Sequence, residues 1–264
     1  MKTYEINPKH KYAQKNTMIT ASFDHALTTH EQKLLRIAIA SIDTVKENEF
    51  IETKVPLSTL QKLIPENKFK NTYRDIEKAC RILVKTTIEI IEPRKKATFY
   101  PLFSKIEYNY GEGRFTFQFN PHMNEYLLNL KNSFTQIPLE DILNMNHKYS
   151  MKVYELIRSK LKNNLPHADK HYEIEISLDE LRKATGTENR YPQIKEFKHR
   201  VLYPALEDIA KFETARIHCN VTDIKENRRI IAFKLDCWSI NGWDYIQRQK
   251  GQIEGQLDMF QLGL

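Results

Sequence analysis

Residues 55–63 read VPLSTLQKL, and 121 positions later residues 176–184 read ISLDELRKA. Each runs from apolar residues into a serine with Gln or Glu three places on, Ser58 with Gln61 and Ser177 with Glu180. That is the pattern of a short strand entering an N-capped helix. The flanks repeat as well. Upstream, residues 28–45 (TTHEQKLLRIAIASIDTV) open with a Thr28/Glu31 capping box and carry Leu34, Leu35, Ile37, Ala38 and Ile42 at helical spacing. Residues 147–161 (HKYSMKVYELIRSKL) place Met151, Val153, Tyr154, Ile157 and Leu161 in a similar rhythm, and pairing Leu34 with Val153 gives an offset of 119. Downstream, each copy continues into a longer amphipathic helix, residues 69–85 and residues 192–211. Each then ends in alternating segments about a turn. In the first, residues 103–109 and 114–120 flank Tyr110-Gly111-Glu112-Gly113; in the second, residues 215–224 and 229–235 flank Lys225-Glu226-Asn227. Both are hairpin signals.

A period near 120 residues is far too long for a solenoid, so it marks a duplicated domain. Helix, strand, helix, helix, hairpin is the order of a helix-turn-helix with a β-hairpin wing, and such folds lay the second helix of the pair in the major groove. The expected class is therefore α+β, two tandem winged-helix domains related by internal duplication. Residues 120–130 (NPHMNEYLLNL), with Pro121 at a helix N1 position, lie between the copies. The expected division is 1–143, 144–245 and a flexible tail, 246–264.

Composition removes other classes. The 264 residues carry 41 Lys+Arg against 34 Asp+Glu, a net charge of +7, with 41% hydrophobic residues and a mean hydropathy of −0.60. No apolar run approaches the ~20 residues that cross a bilayer, and the first residues lack a signal peptide's apolar core. Cys80, Cys219 and Cys237 are odd in number and form no C-x-x-C pair, which disfavours a disulfide scaffold or a cysteine zinc site. Seven glycines include no phosphate-loop or dinucleotide fingerprint. The expectation is a cytoplasmic protein without cofactor, metal or membrane contact.

The two long helices carry the functional signal. At 100° per residue, Tyr73, Ile76, Cys80, Leu83 and Val84 form one stripe, and Asn71, Arg74, Lys78, Arg81 and Lys85 fall opposite. In the second copy Ile194, Phe197 and Val201 form the stripe; Lys195, His199 and Arg200 point away, and Lys198 flanks it. Pro204 is expected to kink or end that helix. Arg and Lys donate to guanine and Asn to adenine, and all three to phosphate. The wings add Arg114, then Lys225, Arg228 and Arg229, placed to grip phosphates. A charged outer face is also what an ordinary surface helix shows. Two such faces at matching places in a duplicated fold favour DNA.

Residues 27–40, 100–121, 132–159 and 194–209 resemble, in order, the iteron-binding replication initiators of bacterial plasmids, a family with tandem winged-helix domains. The similarity runs from about Met18 to Trp238. It implies binding to directly repeated origin sites as a monomer, help in opening adjacent A·T-rich DNA, and recruitment of the host replication initiator and helicase. It also implies a homodimer, joined largely through the first domain, that represses the protein's own promoter. The family's main base reader is the basic helix of the second domain, which places that role on Lys195, Lys198, His199 and Arg200; His199 stands where a stronger base would look natural.

In the tail, Gln256-Leu257-Asp258-Met259-Phe260 resembles the short motif that holds the bacterial sliding clamp, with Met259 in place of the usual Leu. Leu257, Met259 and Phe260 would fill an apolar groove and Gln256 would bond at its rim. The other reading is an amphipathic end resting on the protein's own core. Catalysis has little support: His167 and His171 are four apart but follow Pro166 and lack a third ligand, and there is no H-x-H pair of the kind DNA-nicking initiators use. No enzyme is expected. The alternatives are a tandem winged-helix repressor without a replication role and a nicking initiator.

Overall fold

The computed structural model describes residues 1–5, 7, 9–44, 46–56, 72–91, 96–110, 112–162, 170–211 and 217–239. The capped segment at 57–63, Asn71, His167 and the tail with Gln256 to Phe260 lie outside the described residues.

The chain begins with β1 (Lys2–Thr3), β2 (Lys11–Lys15), α1 (Asn16–Ile19) and β3 (Ser22–Phe23), then the long helix α2 (Thr29–Ala40). β4 (Thr53–Pro56), α3 (Thr72–Leu83), β5 (Thr87–Ile91) and β6 (Ala97–Pro101) precede the first wing, β7 (Phe103–Asn109) and β8 (Arg114–Phe119). A 3-10 turn at Pro121–Met123 and α4 (Asn124–Leu127) lead to β9 (Phe134–Pro138) and α5 (Leu139–Asn144). The second set is α6 (Ser150–Leu161), β10 (Tyr172–Ser177) and α7 (Leu178–Thr185). It ends with α8 (Ile194–Phe197), a π turn (Lys198–Leu202), α9 (Tyr203–Ala210) and the wing β11 (His218–Glu226) and β12 (Arg229–Trp238).

The duplication is built into the sheets. Strand order is β4-β8-β7 in one copy, with β1 added beside β4, and β10-β12-β11 in the other. In both, the last wing strand is central, flanked by the strand that leads into the helix pair. Equivalent apolar residues face each other there, Val55 with Phe115 and Ile176 with Phe233, and all four are buried. Local chemistry sets the helix starts. The Thr28 hydroxyl accepts from the Glu31 N–H while Glu31 accepts from the Thr28 N–H, a complete capping box. The Ser177 hydroxyl accepts from the Glu180 N–H at 3.1 Å. Gly186, at φ +63, closes α7 in the left-handed conformation.

Three features depart from the sequence pattern. First, α2 and α6 are buried on nearly every face rather than amphipathic. Their polar residues meet each other: the Arg36 guanidinium donates to both oxygens of Glu155 at 2.9 and 2.7 Å, and Tyr12, Gln14 and Lys152 close around the same carboxylate. Burial would raise the Glu155 carboxyl, but the facing Arg36 and Lys152 cations overcome it and hold it below its usual range. Second, Pro204 does not end its helix. Backbone angles stay helical through Phe197, Lys198, Leu202 and Tyr203. The π turn just before Pro204 puts the proline at the start of α9, where its missing N–H and its ring are tolerated. Third, β11 runs on through Glu226, so the second wing turns on Asn227 and Arg228, both at positive φ (47° and 67°). This is a two-residue hairpin turn, shorter than the three-residue tip the sequence suggests. β2 also pairs with β9, and β5 with β3 and β6.

Candidate nucleic-acid interface

The second-copy reading helix is positioned from three sides. Phe197, Val201, Leu202, Ala205 and Ile209 are buried along one face. At its entry, Arg182 of α7 donates to the carbonyls of Thr187, Arg190 and Tyr191 at 2.9, 2.7 and 2.8 Å, and its guanidinium lies 4.6 Å over the Phe197 ring. One cation thus fixes the whole turn between α7 and α8. Partial burial holds the Arg182 pKa below its usual value. At its far end, the Asp208 carboxylate accepts from the Asn146 and His147 N–H groups at 2.8 and 2.9 Å, tying α9 to the start of α6.

Between these ties the basic residues divide into two kinds. Lys198 turns toward the wing: its ammonium donates to Asp223 of β11 at 2.7 Å and lies 5.7 and 5.9 Å from the Phe233 and Tyr203 rings. Burial would depress it, but the Asp223 hydrogen bond prevails and raises its pKa. Its observed place is a brace between helix and wing. Lys195, His199 and Arg200 are exposed on the outer face. Arg200 Nε donates to Glu196 at 2.9 Å, an i,i+4 pair with the arginine 63% exposed, worth only ~0.3–0.5 kcal/mol and easily exchanged for a phosphate. His199 meets the Tyr203 ring edge-on at 6.2 Å. At the wing tip Lys225, Arg228 and Arg229 are all exposed. The left-handed backbone at Arg228, uncommon for an arginine, carries it at the hairpin's apex.

The first copy repeats the arrangement with less free charge. Ile76, Ala79, Cys80 and Leu83 of α3 are buried, and Arg74 and Lys78 point outward. Arg81 is held by Glu77 at 2.9 and 2.7 Å. Tyr110 at the first wing tip stands beside that pair, where its hydroxyl lowers the Glu77 pKa and, after Glu77, raises that of Arg81. Arg114 pairs with Glu112. Helix and wing are therefore linked in both copies, by Tyr110 in one and by Lys198 with Asp223 in the other. Sequence reasoning missed Tyr110, Arg182, Asp208 and Asp223. The i,i+4 spacing of Glu77 with Arg81 and Glu196 with Arg200 was a readable sign of pairing.

Among the described residues no cluster of three or more His, Cys, Asp or Glu is placed to hold a metal ion, and no helix is long and apolar enough to cross a membrane. The His171 Nδ1–H donates to the Asp236 carboxylate at 2.5 Å, and the ring stacks flat on Trp238 at 4.0 Å.

Comparison with known proteins agrees with this geometry. The family model described as initiator replication protein, WH1, matches residues 11–158, and that described as initiator Rep protein, WH2, matches residues 177–237. A replication initiation protein of Escherichia coli is 27% identical over 205 residues, covering 76% of this chain and 62% of the relative. The PI protein of Escherichia coli is 31% identical over 143 residues, 50% of this chain and 46% of that one. The chain thus spans less than two thirds of the length of these relatives. The crystal structure of a Pi initiator protein in complex with iteron DNA superposes with a TM-score of 0.69 at 21% identity, covering 89% of this chain and 99% of that one. That match shows a shared fold of two winged helices in tandem. With both of its winged-helix units matched, the chain belongs to the initiator replication protein family.

Proposed function

We propose that this protein initiates plasmid replication by binding directly repeated origin sites through both reading helices. The observation that carries the reading is the braced second helix, whose outer face offers Lys195, His199 and Arg200 beside a wing tip bearing Lys225, Arg228 and Arg229. A protein of the same fold has been crystallised on iteron DNA, and repeated sites of that kind are the ligand we assign. Two reading helices on one chain enter successive major grooves about one turn, ~34 Å, apart, so each repeat spans about two turns. Phosphate contacts from both wings make the affinity fall steeply with salt.

The same reading includes opening of neighbouring A·T-rich DNA, recruitment of the host initiator and helicase, and repression of the protein's own promoter by a homodimer in equilibrium with the monomer. It places the protein in the cytoplasm, working without catalysis or cofactor. Its working division is 1–143 for the first domain, with DNA contact and dimerisation, 144–245 for the main DNA reader, and 246–264 for a tail that engages the sliding clamp. For the dimer seam we take the outer face of the β3-β5-β6 sheet, where Ile91 and Phe99 are 45% and 64% exposed.

Footprinting of the purified protein across the DNA flanking its gene tests the core of this reading. A ladder of protected direct repeats is the expected result. Protection confined to one inverted repeat at the promoter supports the repressor alternative instead, and nicking of a supercoiled origin with Mg²⁺ supports the enzyme.

A further inference from the structure

Cys219 and Cys237 are register partners on β11 and β12, and their sulfurs stand 3.4 Å apart. Cys237 is fully buried, while Cys219 is half-buried and lines an open groove of about 640 Å³ between α9 and β11. Tyr203, Leu206, Ala210 and Val221 share that groove, with His199 of the reading helix at its margin. Cys219 thus borders the groove, and Cys237 lies behind it. The remaining cysteine, Cys80, is buried on α3 in the other copy, with burial pushing its thiol up to about 12.

We propose that Cys219 and Cys237 are a reversible disulfide site, oxidised by low-molecular-weight disulfides that enter the groove between α9 and β11. The Cys219 thiol loses its proton to water and its sulfur attacks one sulfur of the incoming disulfide, releasing one small thiol and leaving a mixed disulfide on Cys219. The Cys237 thiol then loses its proton, and its sulfur attacks that of Cys219 and expels the second small thiol. Two protein thiols are oxidised by two electrons and one small disulfide is reduced to two thiols. Directly opposed residues on antiparallel strands have Cβ atoms about 4.5–5.5 Å apart and a disulfide takes about 3.5–4.5 Å, so a small closing of the wing suffices. The hydrogen bond to Cys237, and then burial, raise the Cys219 thiol well above its ordinary value. Oxidation is therefore slow at neutral pH and speeds up about tenfold per pH unit with the thiolate fraction.

The test is oxidised glutathione added to the full folded chain, followed by intact-mass measurement and a thiol count after unfolding. The expected product has lost two hydrogens and retains one of its three thiols, with a peptide joining positions 219 and 237 that dithiothreitol separates. The Cys237→Ser variant is expected to stop with one glutathione on Cys219. Three intact thiols under conditions that oxidise the unfolded chain, a glutathione retained on the parent protein, or a bond involving Cys80 would each overturn the proposal.

Discussion

Glu155→Gln keeps the size of a buried side chain and removes the single negative charge shared by two buried cations. Arg36 is 1% exposed and Glu155 0%, so no water replaces the lost charge. The carboxylate receives Arg36 at 2.9 and 2.7 Å, Tyr12 at 2.7 Å and Gln14 at 3.0 Å, with the Lys152 ammonium at 4.0 Å. In the variant an amide NH₂ takes the place of one carboxylate oxygen, so a guanidinium N–H loses its acceptor and two positive charges face no anion. Removing one member of a buried pair costs about 3–5 kcal/mol, a large part of the ~5–15 kcal/mol that holds a domain folded. Urea unfolding followed by far-ultraviolet circular dichroism measures it as a lower midpoint at unchanged slope. An Arg36→Met, Lys152→Met, Glu155→Leu triple variant removes all three charges together and should recover most of the loss. A cost below about 1 kcal/mol for Glu155→Gln, or a triple variant worse than the single one, refutes the assignment of Glu155 as the anion that holds two buried cations.

Other consequences can be measured separately. Burial lowers Lys152 from 10.5 to about 8, so between those values the unfolded chain binds more protons and stability rises with pH, by about 3 kcal/mol across the window. The penalty is fully present below pH 8, and Lys152→Met should be the more stable protein at pH 7; a difference between the two that stays constant up to pH 10 contradicts this. Lys195→Ala and Arg200→Ala should each weaken binding to the cognate repeat by about 1–3 kcal/mol in fluorescence anisotropy. If both bind normally while Arg74→Ala and Lys78→Ala abolish binding, the first domain is the main reader. Phe99→Asp should shift the dimer toward monomer in analytical ultracentrifugation while repeat binding by the monomer persists, and an unchanged dimer rejects that seam. A fluorescent peptide of residues 252–264 should bind purified clamp, and Leu257→Ala with Phe260→Ala in the full chain should abolish clamp capture; binding by neither peptide nor chain removes the tail assignment.

The duplication was legible because its signals are local. The Thr28 and Ser177 caps rest on contacts three residues apart, and each wing pairs two strands about its own turn, within about 20 positions. The β5–β6 pair carries a readable sign too, Ile88 and Ile90 alternating with Thr87 and Glu89. What could not be read was non-local. Arg36, Lys152 and Glu155 have the composition of a solvated helix face, and only the approach of α2 and α6 side chains turns that face into core. The same holds at the reading helix. Helical spacing sets Lys198 at the edge of the apolar stripe and Lys195 opposite it, but does not show that Asp223 across the wing holds Lys198 as a brace.

Arg36 and Glu155 stand 119 positions apart, the offset that aligns α2 of one copy with α6 of the other, so the two residues hold equivalent positions. Two unchanged copies meeting in this manner would set guanidinium against guanidinium, or carboxylate against carboxylate. With the arginine on one copy and the acid on the other, neither can be exchanged for a second specimen of itself. The joint therefore holds only between unlike halves of a single polypeptide.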